Sequence, residues 1–185
     1  MVCYQNNAVS CAIVGDGMVG KTCLAKRFAG SQFSDKYVAT VAETSNGSVS
    51  AYGDKYSVNI YENENQSARS KTITESDVIV VCYSAVDKES FENIKSFWIP
   101  MVRKLNKKKP IVLVATHSDM RDENNTDHVS DSEGQNFMKS INADYYNKCS
   151  AATNEGVKNV FESVVCAAIR YRKKKTNVLK RVFAR

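Results

Sequence analysis

Gly15-Asp16-Gly17-Met18-Val19-Gly20-Lys21-Thr22 decides the reading of this chain. The octapeptide fits G-x-x-x-x-G-K-[ST], a pattern that carries meaning only between a strand and a helix. An apolar run, Ala8-Val9-Ser10-Cys11-Ala12-Ile13-Val14, leads in, and a helix-like segment from Thr22 to Phe28 leads out. Strand, phosphate loop and helix therefore follow in order. A polyphosphate needs many N–H donors aimed at one point, and a glycine-rich turn lets the backbone come that close. Gly15, Gly17 and Gly20 supply the turn, with Asp16, Met18 and Val19 between them. Lys21 is placed to reach the β- and γ-phosphates and Thr22 to offer a hydroxyl to Mg²⁺. Cys23 lies in the first turn of a helix whose positive end faces the anion.

The rest of the composition is that of one soluble globular domain: 185 residues, 43% apolar and 25% charged. Six cysteines are scattered without a C-x-x-C pair and sit mostly in apolar segments, which suits small core residues in a reducing compartment. No secretory leader and no long apolar span is visible, so the expected location is cytoplasmic. Cys and His positions lack metal-ligand spacing, which argues against zinc. The net charge of +6 is unevenly placed: eight basic residues and no acid fall in 170–185, leaving 1–169 at −2. Such a tail suits an anionic membrane face or an acidic partner better than nucleic acid gripped by the whole domain. A solvated, disordered end is the competing reading.

Along the chain, 31–44 reads as a loop. Strands are expected at Ser48 to Tyr52 and Tyr56 to Tyr61, turned by Gly53-Asp54. Residues 62–76 are polar and aperiodic and read as a mobile loop. Asp77 to Tyr83 and Ile111 to Ala115 are continuous apolar runs, the mark of strands covered on both faces. Phe91, Ile94, Trp98, Met101 and Leu105 recur at helical spacing, with a bend expected at Pro100 and Trp98 read as core. A short helix (Ser132 to Ile141), a short strand (Asp144 to Asn147) and a last helix from Val157 into the tail complete an α/β domain, mostly parallel, with one hairpin edge. The expected organisation is a body, 1–169, and a basic tail, 170–185.

A phosphate loop does not say which base is bound. Thr116-His117-Ser118-Asp119 does more, because it follows a buried strand at its carboxyl end, where open α/β sheets bind ligands. Asp119 could accept two hydrogen bonds from the guanine N1–H and 2-amino group, a donor pair that adenine lacks. Cys149-Ser150-Ala151, after the last strand, would complete a base pocket through its backbone.

With these motifs in place the chain resembles the Rho family of small GTPases, within the Ras superfamily. The likeness runs from Val9 to about Arg170 and rests on Asp77 to Ser84, Ser90-Phe91-Glu92-Asn93-Ile94-Lys95, Met120-Arg121-Asp122, Cys149 to Thr153, and Gly156 to Phe161. It implies a Ras-like P-loop NTPase fold: a mostly parallel six-stranded sheet with one antiparallel edge hairpin and helices on both faces. It also implies a GTP/GDP switch with Mg²⁺, in which Phe33 edges the guanine, Tyr37 covers the phosphates, and Thr40 closes on the metal and the γ-phosphate. Loss of that phosphate would release the loop. Effectors, exchange factors and GTPase-activating proteins are the implied partners, through Phe33 to Ala42 and the 62–76 loop, with the chain itself a monomer.

The departures from the family matter as much. Tyr61-Glu62-Asn63-Glu64-Asn65-Gln66 stands where relatives have an aromatic residue followed by Asp-Thr-Ala-Gly-Gln, and the segment on to Asp77 is shorter. Glu62 takes the place of the Asp that holds Mg²⁺ through water. Glu64 adds a carboxylate near the phosphates, repulsive unless it turns outward. Asn65 replaces a Gly whose backbone a side chain can obstruct. Gln66 aligns with the glutamine that orients the attacking water, but on an altered scaffold, which predicts slow hydrolysis with binding intact. Met18 replaces a small residue, Ala39 a Pro, and His117 a Lys. The insertion that marks most Rho proteins is largely absent, and the chain ends Val182-Phe183-Ala184-Arg185 without a prenylation box, so membrane contact is expected to be weak and reversible. A non-hydrolysing binding module and a different P-loop enzyme, such as a small kinase, are the competing functions.

Overall fold

The structure, a computed structural model, describes residues 7–34 and 40–183, with 177–183 as helix backbone alone. Six strands form one sheet: β1 (Ala8–Val14), β2 (Ala42–Ala51), β3 (Asp54–Asn63), β4 (Val78–Ser84), β5 (Ile111–Thr116) and β6 (Tyr145–Lys148). Their order is β2-β3-β1-β4-β5-β6, with β2 and β3 antiparallel and every other pair parallel. The helices are α1 (Lys21–Phe28), α2 (Gln66–Glu75), α3 (Lys88–Asn93), α4 (Ile99–Leu105), α5 (Asp131–Ser140) and α6 (Val157–Phe183).

The alternation of side chains along β1 divides the core. Val9, Cys11 and Ile13 pack with Leu24 of α1 and with Val160, Phe161 and Val164 of α6, where Phe28 and Phe161 stack with ring centroids 3.8 Å apart. Ala12 and Val14 face the other way, toward Ile73 of α2, Phe91, Trp98 and Val102 around α3 and α4, and Phe137 of α5. Because both faces are covered, β4 and β5 are buried at every position. That burial is why they read as unbroken apolar runs.

Four local expectations are corrected. Residues 62–76 are not an aperiodic loop: α2 occupies Gln66–Glu75. Only Ile73 of that helix is buried, a contribution of about 1.5–3 kcal/mol, so no apolar stripe marks it. Its start is fixed instead by Asn65, whose Oδ1 accepts from the Ser67 and Ala68 backbone N–H groups at 3.0 and 3.2 Å. Losing that cap would cost about 1 kcal/mol. The hairpin is longer than expected, and its turn residues are Tyr52 and Gly53, both at positive φ (53° and 87°), the geometry that matches strand twist in a two-residue turn. Pro100 does not bend a helix by breaking it. The turn Ile94–Trp98 between α3 and α4 is widened so that the Ile99 N–H bonds to the Ile94 carbonyl, and Pro100 enters α4 at its first turn, where no donor is needed. Of the cysteines read mostly as core residues, Cys23 and Cys166 are only half-buried.

The last helix does not stop at the start of the basic stretch. Arg172 donates to Asp77 Oδ2 and to the Ala8 carbonyl, at 2.7 and 2.8 Å, clamping α6 to the entry of β1 and β4. The position 169/170 therefore lies inside α6.

Candidate nucleotide-binding site

The phosphate loop leaves the carboxyl end of β1 and enters α1. Gly15 (φ 144°) passes so close to the Cys82 carbonyl oxygen of β4 that any β-carbon there would collide with it. Gly20 takes φ 80° immediately before α1, and Met18, at φ 60° and 76% exposed, carries its side chain away from the loop. Val19 is buried, and its carbonyl accepts from the Thr116 hydroxyl at 2.7 Å, joining the phosphate loop to the end of β5. Asp16 does not face a ligand. Its two oxygens accept from Trp98 Nε1 and Asn93 Nδ2, both at 2.6 Å, so the loop is moored to the α3–α4 segment. Trp98 is buried as expected, and its indole N–H has this second task, which helical spacing could not disclose.

Lys21 is 5% exposed, and its ammonium donates to the Asp16 carbonyl at 2.6 Å. Two carboxylates share it: Glu62 Oε1 at 3.8 Å and Glu64 Oε1 at 3.4 Å. Glu64 therefore turns toward the loop rather than outward. Its other oxygen is 3.6 Å from Arg69, whose guanidinium lies 5.0 Å from the centre of the Trp98 ring. A continuous set of contacts thus runs Lys21, Glu64, Arg69, Trp98, Asp16 and back to the loop.

Thr22 Oγ1 lies 2.9 Å from Thr40 Oγ1 and donates to Glu62 Oε2 at 2.7 Å. Glu62, at the buried end of β3, thus meets the hydroxyl directly. Burial pushes its carboxyl pKa up, while the Thr22 hydrogen bond and the Lys21 charge pull it down. Two hydroxyls and a carboxylate are hard oxygen donors of the kind Mg²⁺ takes, so the residues present fit that ion. The Val41 carbonyl accepts from the Glu64 N–H at 3.0 Å, tying the Thr40 segment to the stretch after β3.

Gln66 is exposed at the start of α2. Asn65 has ordinary extended backbone, φ −66°, so its side chain imposes no strain there. Tyr37, like Lys36, Val38 and Ala39, lies outside the described residues, and Phe33 to Ala42 is described only in part.

A cleft at the ends of β5 and β6 is lined by Gly20, Cys23, Phe33, Thr116, His117 and Asp119, with Ser150 and Ala151 opposite. His117 is in the left-handed conformation (φ 54°), and its Nδ1 lies 2.9 Å from Ser84 Oγ. Burial pushes its imidazole pKa below the ordinary value, opposed by Asp119. Ser118 N–H donates to the Cys149 carbonyl at 3.2 Å, holding the two halves of the cleft together. Asp119 is exposed and makes no hydrogen bond among the described residues, leaving both oxygens for a ligand. Burial pushes the Cys149 thiol up to about 12, and it raises the Cys23 thiol as well, so neither is an activated thiolate.

A phosphate loop at the switch of an open, mostly parallel sheet, with a base cleft at the neighbouring strand ends, defines a P-loop nucleotide-binding protein. The Ras family model matches residues 10–170, and the chain belongs to that family of GTP-binding small GTPases. The expected Ras-like fold is the one observed, down to the single antiparallel edge.

Proposed function

We propose that this chain is a Rho-type switch that binds GTP and GDP with Mg²⁺ and hydrolyses GTP slowly. One observation carries the reading. Lys21, Thr22, Thr40 and Glu62 converge on the phosphate loop, while Asp119 borders the cleft with its carboxylate unspent. In this reading the amides from Gly15 to Cys23 and the Lys21 ammonium bind the phosphates. Thr22 and Thr40 hold Mg²⁺, with Glu62 assisting through water. Bound Mg²⁺ would neutralise charge between the β- and γ-phosphates. Phe33 and Tyr37 cover the nucleotide, and Thr116, His117, Ser150 and Ala151 frame a guanine selected by Asp119.

Slow turnover follows from position. Catalysis of phosphoryl transfer is largely orientation and electrostatics, and Gln66 stands exposed on the first turn of α2. The partners proposed are effectors, exchange factors and GTPase-activating proteins reading Phe33 to Ala42 and 62–76. The chain acts as a cytoplasmic monomer, with 170–185 as a functional segment that makes weak contact with anionic membranes. The Glu64–Lys21 contact favours one second reading, a non-hydrolysing binding module, because a carboxylate already occupies the lysine's reach.

Single-turnover hydrolysis of loaded GTP separates the two: slow phosphate release supports the switch, and none supports the module. Turnover at the rate of an ordinary small GTPase defeats both. Asp119→Asn should move base preference from guanine toward xanthine, and an unchanged preference would reject the base pocket.

A further inference from the structure

A cavity larger than the nucleotide cleft lies elsewhere in the fold. It measures about 710 Å³ and lies at the opposite end of the sheet, beneath the start of β5. Its walls come from three places: the loop after α4, the link between α5 and β6, and α6. That loop contributes Lys107 and Lys108, and α6 contributes Arg170, Lys174 and Lys175. Four of these five, the lysines, form no ion pair with an acid among the described residues, and Arg170 donates only to the Tyr145 hydroxyl at 3.2 Å.

Two further cations build the walls rather than face a ligand. The Arg103 guanidinium is spent on the carbonyls of Lys107, Lys109, Ile141 and Asn142, which fix the loop and the α5–β6 link to each other. Lys109 is buried, and its ammonium donates to the Thr74 and Ser76 carbonyls at the end of α2. Two acids lie nearby. Asp77 is held by Arg172, while Asp144, the one carboxylate in the lining, accepts from the Ile111 N–H at 3.1 Å and faces the Arg103 charge, so it offsets one of the basket's cations and leaves the lysines in excess. A pre-formed basket therefore presents unneutralised ammonium groups from two sides over a floor of Pro110, Ile141 and Tyr171.

We infer that this basket binds a compact polyanion carrying several phosphates on a small ring, of the inositol phosphate class, free or as a lipid headgroup. The volume falls within the range of small-molecule sites, roughly 300–1,000 Å³. A single phosphate would engage only some of the lysines, whereas clustered phosphates on one ring can meet both walls at once. A nucleic acid strand calls for an extended basic track with stacking aromatics, and this lining is concave with one tyrosine. The inference stands apart from the nucleotide reading, since none of these residues belongs to the phosphate loop or the base cleft.

The test uses the full chain in excess GDP and Mg²⁺. Binding of fluorescent inositol trisphosphate is followed by polarisation, and binding to phosphatidylcholine vesicles bearing phosphatidylinositol bisphosphate by co-sedimentation. Lys108→Ala combined with Lys174→Ala, both exposed, should weaken binding about twenty-five-fold, at about fivefold per lysine. The thermal midpoint should not change. Saturable binding of the soluble ligand assigns a free inositol phosphate, and binding to the vesicles alone assigns a headgroup. No binding in either form, equal binding by the double variant, or equal binding to phosphatidylserine vesicles of matched charge would overturn the assignment.

Discussion

The Glu64 carboxylate lies 3.4 Å from the Lys21 ammonium, within the reach that a phosphate-loop lysine needs for its ligand. A triphosphate arriving there shares Lys21 with Glu62 and meets Glu64 as a like charge. At about 4 Å the Coulomb cost is about 4 kcal/mol in a partly screened site, and exposure of Glu64 brings it nearer 1 kcal/mol. Glu64→Ala should therefore tighten GTP binding about fivefold and GDP binding less, measured by equilibrium titration with Mg²⁺. An unchanged ratio of the two affinities would mean that Glu64 swings clear when nucleotide binds.

Asp16 gives the second prediction, because Trp98 and Asn93 spend both of its oxygens on anchoring the loop. Trp98→Phe keeps most of the buried ring and removes the one donor at 2.6 Å. A hydrogen bond to a charged group is worth about 2 kcal/mol, so urea unfolding should show a loss of that order. Nucleotide release should quicken with it, since the loop keeps only Asn93 of its two ties to the α3–α4 segment. Stability and release rates both equal to wild type would show the bond to be idle.

Gln66 gives the third. A glutamine aligned on the attacking water is worth on the order of a hundredfold in rate. On the exposed first turn of α2 it has no such alignment, so Gln66→Ala should change single-turnover GTP hydrolysis less than about twofold. A hundredfold drop would mean that α2 rearranges to bring Gln66 to the phosphate.

These contacts differ in how far they could be read from the chain. The phosphate loop is contiguous, and β4 and β5 are apolar at nearly every position, so the loop and the two buried strands announce themselves locally. α2 does not, because a helix with one buried residue has no stripe to display, and its start rests on the cap that Asn65 makes with the Ser67 and Ala68 N–H groups. The edge strand β2 buries just Ser45 and Val49, which is why its first half looked like loop. The Trp98 bond to Asp16 spans 82 residues and the Thr22 bond to Glu62 spans 40, and no spacing rule connects such pairs. The direction taken by Glu64 depended on Arg69 and Trp98 at once, a packing outcome rather than a motif.

His117 closes the set with a pH dependence whose sign follows from its surroundings. Half-buried beside Ser84, it is held below its ordinary value of 6.5 by loss of solvent, with Asp119 only partly compensating. The fold prefers the neutral ring, so the unfolded chain takes up the proton first as pH falls. The contribution of His117 to stability is present above pH 6.5 and is lost as pH drops through that value toward the folded pKa. Unfolding measured between about pH 7 and about pH 5 should therefore show wild type losing more stability than His117→Asn, with carboxylate titrations common to both cancelling in the difference. Binding of GDP should weaken over the same range in wild type, because a charged ring beside Gly20 and Asp119 disturbs the base cleft. Parallel stability curves for the two proteins would place His117 in solvent and remove it from the cleft.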